Sequence, residues 1–393
     1  MSTKKYKIVK SKSIVYNGRT LYRIRALRDF NTVTGETVFK GDLGGFIETE
    51  NNLSQEGYCW IFNNAKVYDD ARVSEDAKIC GGAEIFDSAE VFCNAEISGK
   101  TQIFYGAHVC GNAKVYGYAK VCGKARVYGE AKVYNFAKIL DNAQVYDNAK
   151  IYENAIVAGD VQIYHNAQVY GNAWIYDDAF ICDNARIYGL AKIFNKAIVY
   201  GNAKVYGNAQ IFGKAKVYGN AEVYENAEIF DYAFIFGDAK VFSNAKIFGT
   251  TWLYCAAKIG DKLSLNKGKY IFATLNIDET LSEIEPICYK ISFAVRVIEL
   301  KLPIEQGYIE SLISELAKYD ELIDYFHDIQ TVFEGYDGIP YDAEIVEECI
   351  IFDDMEDYRF PLKPKDEVFG PNCYQDDEEF DYSEVVSYWY GES

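Results

Sequence analysis

Residues 197–223 read AIVYGNAKVYGNAQIFGKAKVYGNAEV. Val199, Val205, Ile211, Val217 and Val223 recur at every sixth position, each two residues after an alanine. The same aliphatic register runs without a slip from Ile61 to Leu265, a series of 35 hexads. The alanine column is broken only at Cys59, Thr101, Val161, Thr251 and Leu263. Residues two apart on a strand point to the same side. A period of six with two such inward positions fits neither a helix nor a plain alternating strand. It predicts a solenoid of short strands joined by corners, with alanine and aliphatic inward and the lysine and tyrosine of a unit such as Ala203–Asn208 outward. The Gly-Asn pair is expected at the corner, where both residues accept left-handed backbone at low cost.

Charge and cysteine usage bound the rest. The net charge is −19, and residues 271–393 hold 31 of the 59 acidic and 7 of the 40 basic residues, leaving the remainder slightly basic. All six prolines follow Leu265, as expected if the repeat is continuous ladder that proline would interrupt. No apolar run is long enough for a membrane span, and the basic N-terminus lacks the apolar stretch of a secretory signal. The ten cysteines form no CxxC and no metal-spaced cluster, so reduced thiols and a cytoplasmic protein are expected, with no metal and no cofactor.

Three regions are expected. Residues 1–58 form an N-terminal β cap, with Asn17-Gly18 as a hairpin turn between alternating apolar runs. Residues 59–265 form the solenoid. Residues 266–393 form an acidic α+β domain with an amphipathic helix over 304–329.

The hexad matches [LIV]-x-x-x-[STAV]-x and resembles the left-handed parallel β-helix of the hexapeptide-repeat superfamily, which implies a left-handed triangular coil of three hexads. The stretch TVFKGDLGGFIETENNLSQEGYCWIFNNAKVYDDARV, residues 37–73, is similar to the opening of the YdcK-like β-solenoids of phages, prophages and bacteria. In those, (K/A)G-x-x-GG-(W/F) is followed by N-x-LSQ-x-G-x-CW. Lys40, Gly41, Gly44, Gly45, Phe46, Asn52, Leu53, Ser54, Gln55, Gly57, Cys59 and Trp60 carry the likeness, although Asn51 stands at the N-x-L spacing. The resemblance covers residues 20–265 or so and stops short of the acidic region.

Positions three hexads apart stack, which sorts the outward residues by face. One face carries Tyr116, Tyr134 and Tyr152 in a column that continues to Phe242. Beside it runs a basic column that includes Lys114, Lys132, Lys150, Arg186 and Lys204. A second carries Phe194, Phe212, Phe230 and Phe248, with Trp174 alongside; a third includes Trp252. Phenylalanine and tryptophan columns of this length exceed the apolar patch a monomer normally leaves exposed. A sister subunit, with a homotrimer favoured, or the C-terminal region is expected to cover them.

The hexapeptide-repeat resemblance also implies an acyltransferase using acyl-CoA, with a histidine base at a cleft between subunits. Against it, the repeat has no interrupting loop, His108 is an outward residue, His165 a corner residue, and His327 falls in the expected C-terminal helix. The stronger expectation is a non-enzymatic protein-interaction scaffold. The phage-type resemblance and the acidic module suggest an inhibitor of a host system, in the host cytoplasm. Asp353, Asp354, Asp376, Asp377, Glu378 and Glu379 would engage a basic surface on a partner or on the chain itself. Direct nucleic-acid binding is disfavoured by the net charge. A self-assembling structural solenoid is a further alternative, set back by the dissimilar ends.

Overall fold

The computed structural model describes residues 4–253, 257–260, 262–270 and 274–275. The chain divides into two compact units, the first ending at Lys196 and the second beginning at Ala197. Each unit carries part of the repeat and is described by itself. The acidic residues from Asp353 to Glu379 and the helix expected over 304–329 lie outside the described residues.

In the first unit, every hexad supplies a two-residue strand. Trp60–Ile61, Lys66–Val67 and Arg72–Val73 pair in parallel with Lys78–Ile79, Glu84–Ile85 and Glu90–Val91, one coil further on. The register continues as Ile97 on Val115 and Val115 on Val133. In the second unit Val205 pairs with Val223 and Val223 with Val241 in the same way. The fold is therefore an all-β parallel solenoid, with the inward columns as its core. Val67, Val115, Val205 and Ile229 have no exposed surface, and neither do Ala65, Ala113, Ala203 and Ala227. Cys59, Thr101, Val161 and Thr251, which replace alanine, are equally buried. Thr101 and Thr251 are tolerated because each hydroxyl donates to a carbonyl three residues back, Ser98 at 2.6 Å and Phe248 at 2.8 Å. Toward the end of the second unit, Lys246–Leu253 runs as one strand across two hexads.

At the corners one residue of each pair takes the left-handed conformation. The left-handed residue is the first of the corner pair, not the asparagine that follows. Gly117, Gly207 and Gly219 adopt it, and so do Asp69, Glu75, Cys93, Tyr105, Asp147, His165 and Ser243. The asparagine serves as a ladder rung instead: Asn94 donates to Asn112 at 3.0 Å, and Asn208 to Asn226 at 2.9 Å.

The cap is an antiparallel sheet of β1 (Tyr6–Tyr16), β2 (Arg19–Ala26) and β5 (Leu43–Ile47), with the small hairpin β3 (Phe30–Asn31) and β4 (Thr37–Val38) between the last two. Asn17 and Gly18 turn β1 into β2 with positive φ at both, as the hairpin signal requires. β5 then pairs in parallel with Lys66–Val67, so the cap continues the ladder and covers the open end.

Candidate interaction faces

The tyrosine face is built by repetition. Each ring follows an inward aliphatic and stacks on the ring one coil away. In the first unit Tyr116, Tyr134, Tyr152, Tyr170 and Tyr188 stand 4.8–4.9 Å apart and nearly parallel. In the second, Tyr206, Tyr224 and Phe242 continue the pattern at 5.0 and 5.3 Å. The rings are half-buried, each stacked on the next. Partial burial pushes the Tyr152 phenol up to about 12, so its hydroxyl keeps its proton at physiological pH.

The lysine column beside it is not uniformly unpaired. Lys114 meets Glu96 at 2.7 Å, and in the second unit Glu222 lies between Lys204 at 2.8 Å and Lys240 at 3.4 Å. Hydrogen bonding to Lys204 holds the Glu222 carboxyl below its ordinary range. Lys132, Lys150 and Arg186 have no such acid: among the described residues none forms an ion pair. Lys132 stacks in register between Lys114 and Lys150, so like charges lie one coil apart here.

The aromatic columns of the other faces fall into two environments. Tyr68, Phe86 and Phe104 stack at 5.2 and 4.9 Å, and the cap packs on their start. Leu21 and Phe46 join Tyr68, with Ile14, Tyr16 and Phe86 around them, and the Tyr16 hydroxyl donates to Glu84 at 2.5 Å. The cover at this end is the N-terminal sheet. Further along in the first unit, Trp174 is exposed, with Lys192 over its ring and Tyr176 stacked on Phe194 beside it. In the second unit Phe212, Phe230 and Phe248 stack at 4.8 Å and are half-buried, while Trp252 lies tilted against Phe234.

The two described histidines stand in different surroundings. His108 is half-buried edge-on to Phe92; burial pulls its pKa below the ordinary value, with Glu90 and Arg126 nearby. His165 sits at an exposed corner, its Nδ1 2.9 Å from Asp183. Among the described residues no group of His, Cys, Asp or Glu could hold a metal ion, and no helix is long and apolar enough to cross a membrane.

The N-terminal motif builds the joint between cap and solenoid. Asn52, not Asn51, is the buried asparagine: it accepts from the Glu48 and Thr49 amides and donates to the Asp69 and Ala71 carbonyls. Gln55 accepts from the Lys5 and Tyr6 amides, and Trp60 packs edge-on against Tyr6 and Phe30. Sequence reading marked this motif by resemblance alone. The repeat pattern puts Asp and Glu at corners but does not show their role: Asp141, Asp177 and Glu225 each accept the amide of the corner one coil on.

No protein-family model and no curated protein matches the sequence. Among solved structures the chain is similar to the UDP-N-acetylglucosamine acyltransferase of Arabidopsis. The identity is 17% over 61% of this chain and 91% of that one, with a TM-score of 0.30. A likeness at that level carries no statement about activity.

Proposed function

We propose that this chain is a non-enzymatic interaction scaffold that presents Lys132, Lys150 and Arg186, beside the stacked tyrosines, to an acidic polypeptide. The observation that carries this reading is that Lys132, Lys150 and Arg186, in one column broken by Gln168, form no ion pair among the described residues and stand beside an aromatic ladder. An extended acidic strand would relieve repulsion between the stacked charges and lay its apolar side chains on the tyrosine edges. Residues 342–393, with 17 acidic and 3 basic residues interleaved with aromatics, are one such polypeptide. In this reading they bind in cis and are displaced onto a basic surface of a target. The resemblance to the YdcK-like, phage-type solenoids supports an inhibitor of a host system acting through that acidic module. A homotrimer, joined along the phenylalanine columns, is the proposed assembly.

The test is binding of a labelled peptide spanning residues 372–390 to protein lacking residues 342–393, followed across ionic strength. Binding that weakens steeply with salt and is lost in Lys132→Glu/Lys150→Glu supports the scaffold. Binding that ignores salt or the charge reversal rejects it. Turnover of acyl-CoA by the intact chain would favour the acyltransferase alternative instead.

A further inference from the structure

Lys5 is the one lysine among the described residues with no exposed surface. Its Nζ lies 3.0 Å from the Glu56 carbonyl oxygen, 3.3 Å from that of Gly57 and 3.0 Å from that of Cys59, which pin it in place. The fourth neighbour is the Cys59 sulfur, 3.2 Å away and also fully buried. Cys59 occupies the first inward small-residue position of the repeat, where all but five hexads have alanine. Packing does not require sulfur there, since Ala65, Ala71 and Ala77 fill the next three positions without exposed surface. The cysteine is thus set opposite the only fully buried amine among the described residues.

We infer that Lys5 and Cys59 form an oxidative cross-link site, at which a peroxide joins Nζ to Sγ as a sulfenamide. In the first step hydrogen peroxide gives one oxygen to the thiol: the O–O bond breaks, sulfur is oxidised by two electrons to the sulfenic acid, and water leaves. Sulfenic acids condense with a neighbouring nitrogen. The neutral Lys5 amine, its extra proton given up to solvent, attacks sulfur with its lone pair. The S–O bond breaks, and the departing hydroxide takes a second amine proton and leaves as water. Burial favours the neutral amine, drawing Lys5 below the ordinary lysine range. It also pushes the Cys59 thiol up, against the pull of Lys5, so oxidation is slower than at an exposed thiolate. The link would close a loop between residues 54 apart in sequence and tie the cap to the first coil.

The experiment uses the full chain, treated with hydrogen peroxide, digested without reductant and read by mass spectrometry. The expected product is a peptide joining Lys5 to Cys59, two hydrogens lighter than its separate parts and released by dithiothreitol. It should be absent from Lys5→Met and from Cys59→Ala, the second of which restores the alanine of other hexads and keeps a folded control. Treated wild type should also unfold at a higher temperature than treated Cys59→Ala. The inference fails if Cys59 proceeds to the sulfinic acid with Lys5 free. It fails equally if Cys59 stays a thiol while the other cysteines are oxidised.

Discussion

At the scale of single residues, the inward columns leave no room for charge. Val205 is fully enclosed by its own coil and its neighbours, so Val205→Asp should cost upward of about 3 kcal/mol by burying an unpaired carboxylate. Chemical denaturation should show this as a lower midpoint with an unchanged slope. Gly129 is sensitive for a different reason. It has φ +66, and an added Cβ would lie 2.8 Å from the Asp147 amide nitrogen, so Gly129→Ala should cost more than about 1 kcal/mol. His108 makes stability depend on pH. Its folded pKa lies below the ordinary value of about 6.5, so the unfolded chain takes up a proton first as pH falls. The associated stability is present above that value and is lost as the pH drops through the window below it. The fall in melting temperature between pH 7.5 and pH 5 should therefore be smaller in His108→Gln than in the wild type.

At the scale of elements, corners and cap are held by different economies of hydrogen bonding. A corner acid such as Asp141 caps one amide, that of Gly159 at 2.9 Å, close to solvent that can replace it. Asp141→Ala should cost about 0.5–1 kcal/mol. Asn52 is fully buried and bonded at both ends to the cap and first coil, so Asn52→Leu should cost about 2 kcal/mol or more. Thermal unfolding of the pair separates a solvated bond from a buried one. The aromatic ladders add to each element, since a stacked pair contributes about 0.5–1.5 kcal/mol beyond the area it buries.

At the scale of the whole molecule, the question is what meets the half-buried rings and the basic column. If phenylalanine columns join subunits, light scattering should give an oligomer for the wild type and a smaller species for Phe212→Glu/Phe230→Glu. A monomer in both would remove assembly from the scaffold reading. Deletion of residues 342–393 should leave the melting temperature of the repeat unchanged, because its inward columns are complete without them. A large fall would mean that the acidic segment supports the fold rather than recognition.

Amino-acid order alone determined the solenoid, because the six-residue period places Val199 and Val205 inward whatever their surroundings. It also marked the Asn17-Gly18 hairpin and the stacking columns, which follow from register. Tertiary structure decided what register cannot: which side chains meet across coils. The pairing of Lys114 with Glu96 and of Glu222 with Lys204 and Lys240 reduced the expected lysine strip to Lys132, Lys150 and Arg186. The left-handed residue at each corner could not be assigned from preference, because Glu, Cys, Tyr and His adopt it when the coil geometry imposes it. Nor could the sequence place Lys5 beside Cys59, since a contact between residues 54 apart exists only once the cap has folded back onto the first coil.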